Sequence, residues 1–273
     1  MEVSKIRTIH LSEMKTRGEK IVMITAYDFP TAQLADRAGV DVVLVGDSLG
    51  SAILGLRNTI GVTLEHMIHH CCAVSRGVGR ALLVADMPFM SYKISGEQAL
   101  TNAARLIQQG GAEAVKLEGG EEIAPIVARV VAAGIPVMGH IGLTPQSLHQ
   151  LGGYRVQGRN HAQVERLTAN ARALSDAGVF ALVVELVPAI VARKLTRSIA
   201  TPTIGIGAGP HCDGQVLVLH DLLGLSPAKK RFVKVYAQLH RTITDAIRQY
   251  AADVRTGLFP ARRHSFAMKR KKR

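Results

Sequence analysis

Asp41-Val-Val-Leu-Val-Gly-Asp-Ser48 is an unbroken apolar run that ends on a glycine, a carboxylate and a hydroxyl. Nothing in it alternates, so a strand made from it is covered on both faces, as a parallel strand between helices is. The same pattern recurs at 20–28, 81–88, 112–119, 136–142, 179–187, 202–209 and 215–221, each followed by a stretch with helical spacing. With 40–48 these make eight strands in 273 residues, the count and length of a closed (β/α)8 barrel. A doubly wound open sheet is the alternative, because periodicity cannot show closure.

The intervening segments carry helix signals. Thr63 can cap 64–75, and Ser95 with Gln98 makes a capping box ahead of 99–109, which Gly110-Gly111 ends. Phe232, Val235, Leu239, Ile243, Ile247, Tyr250 and Val254 recur every three or four residues, which predicts one long helix with a buried face. The expected organisation is a single barrel domain with its C-terminal helix over 1–260, then a basic, disordered tail over 261–273.

Composition narrows the class further. Tryptophan is absent and only 11 residues are Phe or Tyr, so aliphatic side chains must build the interior. Apolar runs stay far below the roughly 20 residues of a membrane span, and no basic-then-apolar leader opens the chain. Three cysteines, two of them adjacent (Cys71, Cys72) and one distant (Cys212), do not form a disulfide framework and fit a reducing, cytoplasmic setting. The formal charge is +13, of which seven positive charges fall in the last twelve residues. Without aromatic residues among them, that tail reads as a solvated terminus rather than a nucleic-acid surface, and no membrane or nucleic-acid partner is expected.

In a parallel barrel, chemistry collects where the strands end. The ends carry Asp28, Asp47-Ser48, Asp86, Lys116 with Glu118, His140, Glu185 and Gly205-Ile-Gly-Ala-Gly209. Each acid alone is more often a helix cap or a turn residue. Gathered in one mouth, they would repel unless a cation or lysine balanced them. Asp47, Asp86 and Glu118 offer only oxygen, which favours Mg²⁺ over zinc. A 2-oxo acid could complete the metal shell, with Glu185 placed as base toward C3–H and Lys116 facing the developing negative charge. His66 and His70 lie one helical turn apart but lack a third ligand, so no metal is expected there. The glycine-rich 205–209 segment fits a phosphate loop or a tight strand exit equally well.

These segments resemble one family, the ketopantoate hydroxymethyltransferases. The resemblance rests on Ile24-Thr-Ala-Tyr-Asp28, Leu44-Val-Gly-Asp-Ser-Leu-Gly50, Ala85-Asp-Met-Pro-Phe-Met90, Val115-Lys-Leu-Glu-Gly-Gly120 and Gly139-His-Ile-Gly-Leu-Thr-Pro-Gln146. It continues through Gly152-Gly-Tyr-Arg-Val-Gln-Gly-Arg159, Val184-Glu-Leu-Val-Pro188, Ile204-Gly-Ile-Gly-Ala-Gly209 and Asp213-Gly-Gln-Val-Leu-Val218. It implies a TIM barrel of the phosphoenolpyruvate mutase/isocitrate lyase type, assembled as a homodecamer. It also implies transfer of a hydroxymethyl group from 5,10-methylenetetrahydrofolate to 3-methyl-2-oxobutanoate through a magnesium-stabilised enolate. The products would be 2-dehydropantoate, on the route to pantothenate, and tetrahydrofolate. Carried over by position, Asp47, Asp86 and Glu118 match the magnesium ligands. Asp47, Ser48, Asp86 and Lys116 match the contacts to the oxo acid, Glu185 matches the base, and His140 lies beside the site as an orienting residue. The chain departs from the family's pattern at Pro260-Ala-Arg-Arg-His-Ser-Phe266 and in the basic Lys229-Lys-Arg231 run. A magnesium-dependent lyase or mutase of the same barrel type is the nearest rival, and a nucleic-acid-binding protein using the tail is the rival from another class.

Overall fold

Val42–Val45 is buried at every residue and forms the second strand of a closed, all-parallel, eight-stranded barrel in sequence order. The structure, a computed structural model, describes residues 4–225 and 230–268. In chain order the elements are α1 (Thr8–Arg17), β1 (Ile21–Thr25), α2 (Phe29–Arg37), β2 (Val42–Val45), α3 (Leu49–Ala52), α4 (Leu64–Ser75) and β3 (Leu82–Asp86). They continue with α5 (Gly96–Gln108), β4 (Ala114–Glu118), α6 (Ala124–Ala132), β5 (Val137–Gly142), α7 (Leu148–Leu151), α8 (His161–Asp176), β6 (Ala181–Glu185) and α9 (Ala189–Ser198). The last are β7 (Thr203–Ile206), β8 (Gly214–Leu217), α10 (Leu219–Leu222) and α11 (Leu239–Thr256). All eight expected strands are present. β1 pairs with β8, which closes the barrel and excludes the open sheet.

The observed strands are shorter than the expected segments because their polar ends leave the ladder for the following loop. The expected eighth strand over 215–221 differs most. It stops at Leu217, and Leu219 begins a helical turn whose backbone N–H donates to Thr25 Oγ1 at 3.1 Å.

Residues two apart on each strand point to the same face. On the inner face Met23, Val42, Leu44, Leu82, Val84, Ala114, Met138, Ala181, Val183, Ile204 and Val216 pack into one buried cluster. Leu11 and Met14 of α1 complete it. That helix was not expected, because its polar, mixed-charge sequence spends only two residues on the core. Lys15 anchors it by donating to the carbonyls of Thr196, Ile199 and Thr201 at 3.0–3.1 Å and by pairing with Asp213 at 3.0 Å.

The caps follow the sequence in one case and modify it in the other. Thr63 Oγ1 accepts from His66 N at 3.2 Å, and His66 Nδ1 accepts from Thr63 N in return. Ser95 Oγ accepts from Gln98 N at 3.1 Å, but Gln98 Oε1 accepts from the N–H of Ile94 rather than from that of Ser95.

The chain divides into two compact units, residues 1–219 and 220–273. The second contains α11, where the expectation of one long helix with a buried face needs correction. The helix starts at Leu239, after Phe232 and Val235, and none of its residues is buried. Ile247 is 61% exposed and Tyr250 58%. Periodicity records that a face is apolar, not which surface covers it. Of the expected tail, a 3-10 turn at Arg262–His264 is described, while 269–273 lie outside the described residues, as does Lys229 of the basic run. No helix among the described residues is long and apolar enough to cross a membrane.

Candidate active site

The barrel brings Asp47, Asp86, Lys116, Glu118, His140 and Glu185 to one end. Asp86 closes β3 opposite Lys116 on β4, Glu118 closes β4 opposite His140 on β5, and Glu185 closes β6 opposite Gly142. Asp47 lies in the turn after β2, where its backbone N–H donates to Asp86 Oδ2 at 3.0 Å. Lys116 Nζ is 2.9 Å from Asp86 Oδ1 and 3.9 Å from Glu118 Oε1. His140 lies between two carboxylates, with Nδ1 3.4 Å from Glu118 Oε1 and 3.1 Å from Lys116 Nζ, and Nε2 3.3 Å from Glu185 Oε2. The side chains of Lys116, Asp86, Glu118 and His140 are at most 4% exposed, whereas that of Glu185 is 15% exposed.

Burial and mutual repulsion set the electrostatics. Burial, then Asp86 and Glu118, push the Asp47 carboxyl well above the usual carboxylate range. Asp86 is raised as well, chiefly by burial, although Lys116 works against the shift. Glu118 goes the other way. Burial opposes its charge, but His140, Lys116 and the Gln146 N–H outweigh it and hold the carboxyl low. Lys116 is raised because Asp86, Glu118 and Asp47 together overcome its burial. The His140 imidazole is pushed up to about 9, its two carboxylate neighbours outweighing burial and the Lys116 charge.

Not every acid at a strand end belongs to the cluster. Asp28 caps α2, accepting from Thr31 N at 2.8 Å. Ser48 sits beside the site, and its hydroxyl meets Tyr27 OH at 2.8 Å. His66 and His70 each have a structural contact. One completes the cap at Thr63, and the other places Nδ1 2.7 Å from the Tyr27 carbonyl. The glycine-rich exit of β7 packs tightly, since a Cβ at Gly209, where φ is 77°, would sit on Ala189 at the start of α9.

Sequence reasoning missed Gln146 and Tyr92 as parts of the site. Gln146 is buried, and its backbone N–H donates to Glu118 Oε2 at 3.0 Å. Its side-chain Nε2 donates to Asp47 Oδ2 and to the Met87 carbonyl, both at 2.9 Å. Its Oε1 lies 2.9 Å from Tyr92 OH. Gln146, in a 3-10 turn at Pro145–Ser147, closes one of the family-like segments, but neither its spacing nor that of Tyr92 marks a role in the site.

The backbone next to Glu185 is constrained. Leu186, with φ 46°, is one of two non-glycine residues with positive φ among the described residues, a conformation that persists only where the surroundings hold it. Its N–H donates to Ile206 O at 2.9 Å and its carbonyl accepts from Gln157 N at 2.8 Å. Gly142, with φ 94°, lies against this segment, and a Cβ there would overlap the Glu185 carbonyl oxygen, to which Leu143 N donates. Gly142→Ala should therefore lower stability by more than about 1 kcal/mol and, by displacing Glu185, cut turnover by about tenfold. Thermal melting and steady-state kinetics check the two effects.

The site's donor set fits a hard divalent cation. Its carboxylate oxygens are buried, and Asp86 Oδ1 has no hydrogen-bond partner beyond its charge contact with Lys116. Among the described residues no three His, Cys, Asp or Glu side chains converge into a ready metal cage. Magnesium does not require one, since it keeps waters and substrate oxygens and takes one or two protein carboxylates. The neighbouring pair Asp47 and Asp86 meets that demand.

Comparison with known proteins bears on the family and the fold. The family model described as ketopantoate hydroxymethyltransferase matches residues 5–262. The 3-methyl-2-oxobutanoate hydroxymethyltransferase of Thermoanaerobacter sp. (strain X514) is 56% identical over 268 residues, covering 98% of each chain. Among solved structures, a phosphonopyruvate hydrolase complex with oxalate and Mg++ superposes with a TM-score of 0.62 at 14% identity, covering 95% of this chain and 93% of that one. A 2,3-dimethylmalate lyase of the PEP mutase/isocitrate lyase superfamily gives 0.60 at 16% identity, covering 95% and 88%. These two structures share the fold. A family match over nearly the whole length, with relatives at more than half identity, makes the chain a member of the ketopantoate hydroxymethyltransferase family.

Proposed function

We propose that the chain transfers a hydroxymethyl group from 5,10-methylenetetrahydrofolate to 3-methyl-2-oxobutanoate, giving 2-dehydropantoate and tetrahydrofolate, with Mg²⁺ as its metal. Ketopantoate hydroxymethyltransferase activity in pantothenate biosynthesis follows from family membership. The observation that carries the proposal is the difference in access among the carboxylates. Asp86 and Glu118 are enclosed around Lys116, and Asp47 is buried beside them, while Glu185 alone is partly open.

Asp47 and Asp86, with Glu118 completing the carboxylate set, are the side chains that would hold the metal. When bound there, magnesium would offset their charge and polarise the C2 carbonyl of the oxo acid, making its C3–H more acidic. Glu185 takes the C3 proton, with its Oε2 held beside His140. Lys116 and Ser48 face the oxo acid's oxygens, and Lys116 stabilises the negative charge that develops there. The carbanion then forms the new C–C bond to the one-carbon unit. The transfer consumes one water, whose oxygen becomes the hydroxyl, and tetrahydrofolate leaves.

We further propose self-association, with a homodecamer as the expected size, and a cytoplasmic location. The exposed apolar stripe of α11 and the three unpaired cysteines support these readings. A proton NMR time course in D₂O tests the chemistry. The C3–H signal of 3-methyl-2-oxobutanoate should disappear with Mg²⁺ but not with EDTA, and 2-dehydropantoate should appear once the folate is added. Asp86→Ala should raise the magnesium needed for half-maximal exchange by about tenfold or more. An unchanged magnesium titration removes Asp86 from the ligand set.

A further inference from the structure

We propose that Gln146 is a positioning residue that selects which oxygen of Asp47 and which of Glu118 faces the metal, and thereby favours a small hard cation. This inference rests on the magnesium reading above. Asp47 and Glu118 come from different strands, and Gln146 ties one oxygen of each by two separate donors, its side-chain N–H to Asp47 Oδ2 and its backbone N–H to Glu118 Oε2.

The orientation of the amide is fixed by its neighbours. Both Nε2 hydrogens have acceptors, Asp47 Oδ2 and the Met87 carbonyl. A flipped amide would set its oxygen against those two acceptors with no proton between them, which a buried site does not tolerate. Tyr92 supplies the complement. Its hydroxyl accepts from Glu118 N at 3.1 Å and has one proton to give, to the Glu118 carbonyl at 2.8 Å or to Gln146 Oε1 at 2.9 Å. When that proton goes to Gln146 Oε1 the phenol holds the glutamine, and the glutamine holds one oxygen of each carboxylate.

The consequence is denticity. With Oδ2 of Asp47 and Oε2 of Glu118 occupied, each carboxylate has one oxygen left to offer. For Asp47 that oxygen is Oδ1, and for Glu118 it is Oε1, which faces His140 and Lys116. Single-oxygen contacts suit magnesium, which is small and needs near-octahedral geometry, whereas calcium readily accepts bidentate carboxylates in a looser shell. The residue must also be a neutral donor. A carboxylate in its place would add a further like charge to a buried cluster, and an aliphatic side chain would leave Asp47 Oδ2 and the Met87 carbonyl without their donor.

The test is calorimetric titration of the metal-free full-length protein with MgCl₂ and, separately, CaCl₂, for wild type, Gln146→Met and Tyr92→Phe. Circular dichroism confirms that each variant is folded. In Gln146→Met the magnesium dissociation constant should rise at least tenfold while that for calcium changes less, so the preference for magnesium falls. Tyr92→Phe should shift the preference the same way by a smaller factor. A purely structural role would lower the folded fraction and leave the magnesium-to-calcium ratio of the folded protein unchanged. Constants within twofold of wild type for both ions in folded Gln146→Met overturn the inference. If that variant does not fold, an unchanged ratio in Tyr92→Phe overturns it instead. Failure of wild type to bind magnesium would overturn the metal reading itself, and that result is distinct from equal binding by wild type and variants.

Discussion

Glu185→Gln should abolish exchange of the C3–H of 3-methyl-2-oxobutanoate with solvent and stop product formation, each by about a thousandfold or more, while the oxo acid still binds. The substitution keeps the shape of the side chain and its place beside His140, 3.3 Å away, and removes only the capacity to take a proton. Glu185 is the acid best placed for this task. Lys116 and His140 hold Glu118, Lys116 holds Asp86, and Asp47 is buried beneath the Gln146 amide, so none of these three is free to accept a proton from substrate. Glu185 ends β6 on a backbone fixed by Leu186 and Gly142, and its side chain keeps some access to the mouth. The exchange assay separates proton abstraction from transfer. Loss of both, with a normal dissociation constant for the oxo acid, is the expected pattern. Retained exchange with lost transfer would assign the base to another group and leave Glu185 a role in the later steps.

The parts of this site that were legible in the sequence share one property. Asp47, Asp86, Lys116, Glu118, His140 and Glu185 all stand on or just beyond runs of Val, Leu, Ile and Ala that can only be strands, so topology alone brings them together. The strand-end argument also collected Asp28, because a helix cap and a functional carboxylate look alike at the start of a loop; only the hydrogen bond from Thr31 separates them. Gln146 was illegible for the opposite reason. It lies 99 residues from Asp47 and 28 from Glu118, in a loop where a glutamine is ordinarily a solvated residue, and its importance comes from burial after closure. Helix α1 shows the same limit in the core, since two apolar residues in a polar segment suffice to complete a cluster that eight strands have already built. The stripe on α11 shows it at the surface. An amphipathic pattern is a demand for a partner surface, and the sequence does not say where that surface is.

Lys116→Met should destabilise the metal-free protein by about 3–5 kcal/mol, the range for breaking a buried ion pair from one side. In a chain of this size that corresponds to a melting temperature lower by roughly 10 °C. The lysine is enclosed, 2.9 Å from Asp86 and 3.9 Å from Glu118, and methionine preserves most of its length and packing, so the loss is mainly one of charge. The effect should depend on pH with a definite sign. Asp47 and Asp86 already have raised carboxyls in the folded protein, and removing a neighbouring cation raises them further. A folded pKa above the unfolded one means that the native state holds more protons across the interval between the two. Stability then falls as pH rises through that interval, and the native state is favoured most below it. Melting curves in EDTA should therefore show the gap between Lys116→Met and wild type widening from pH 5 to pH 8. On the metal reading, added Mg²⁺ restores positive charge to the cluster and should narrow the gap at pH 8 more than at pH 5, where protons already do so. A gap of constant size across this range would mean that Lys116 contributes packing rather than charge. Its role toward the developing negative charge on substrate would then need support from kinetics alone.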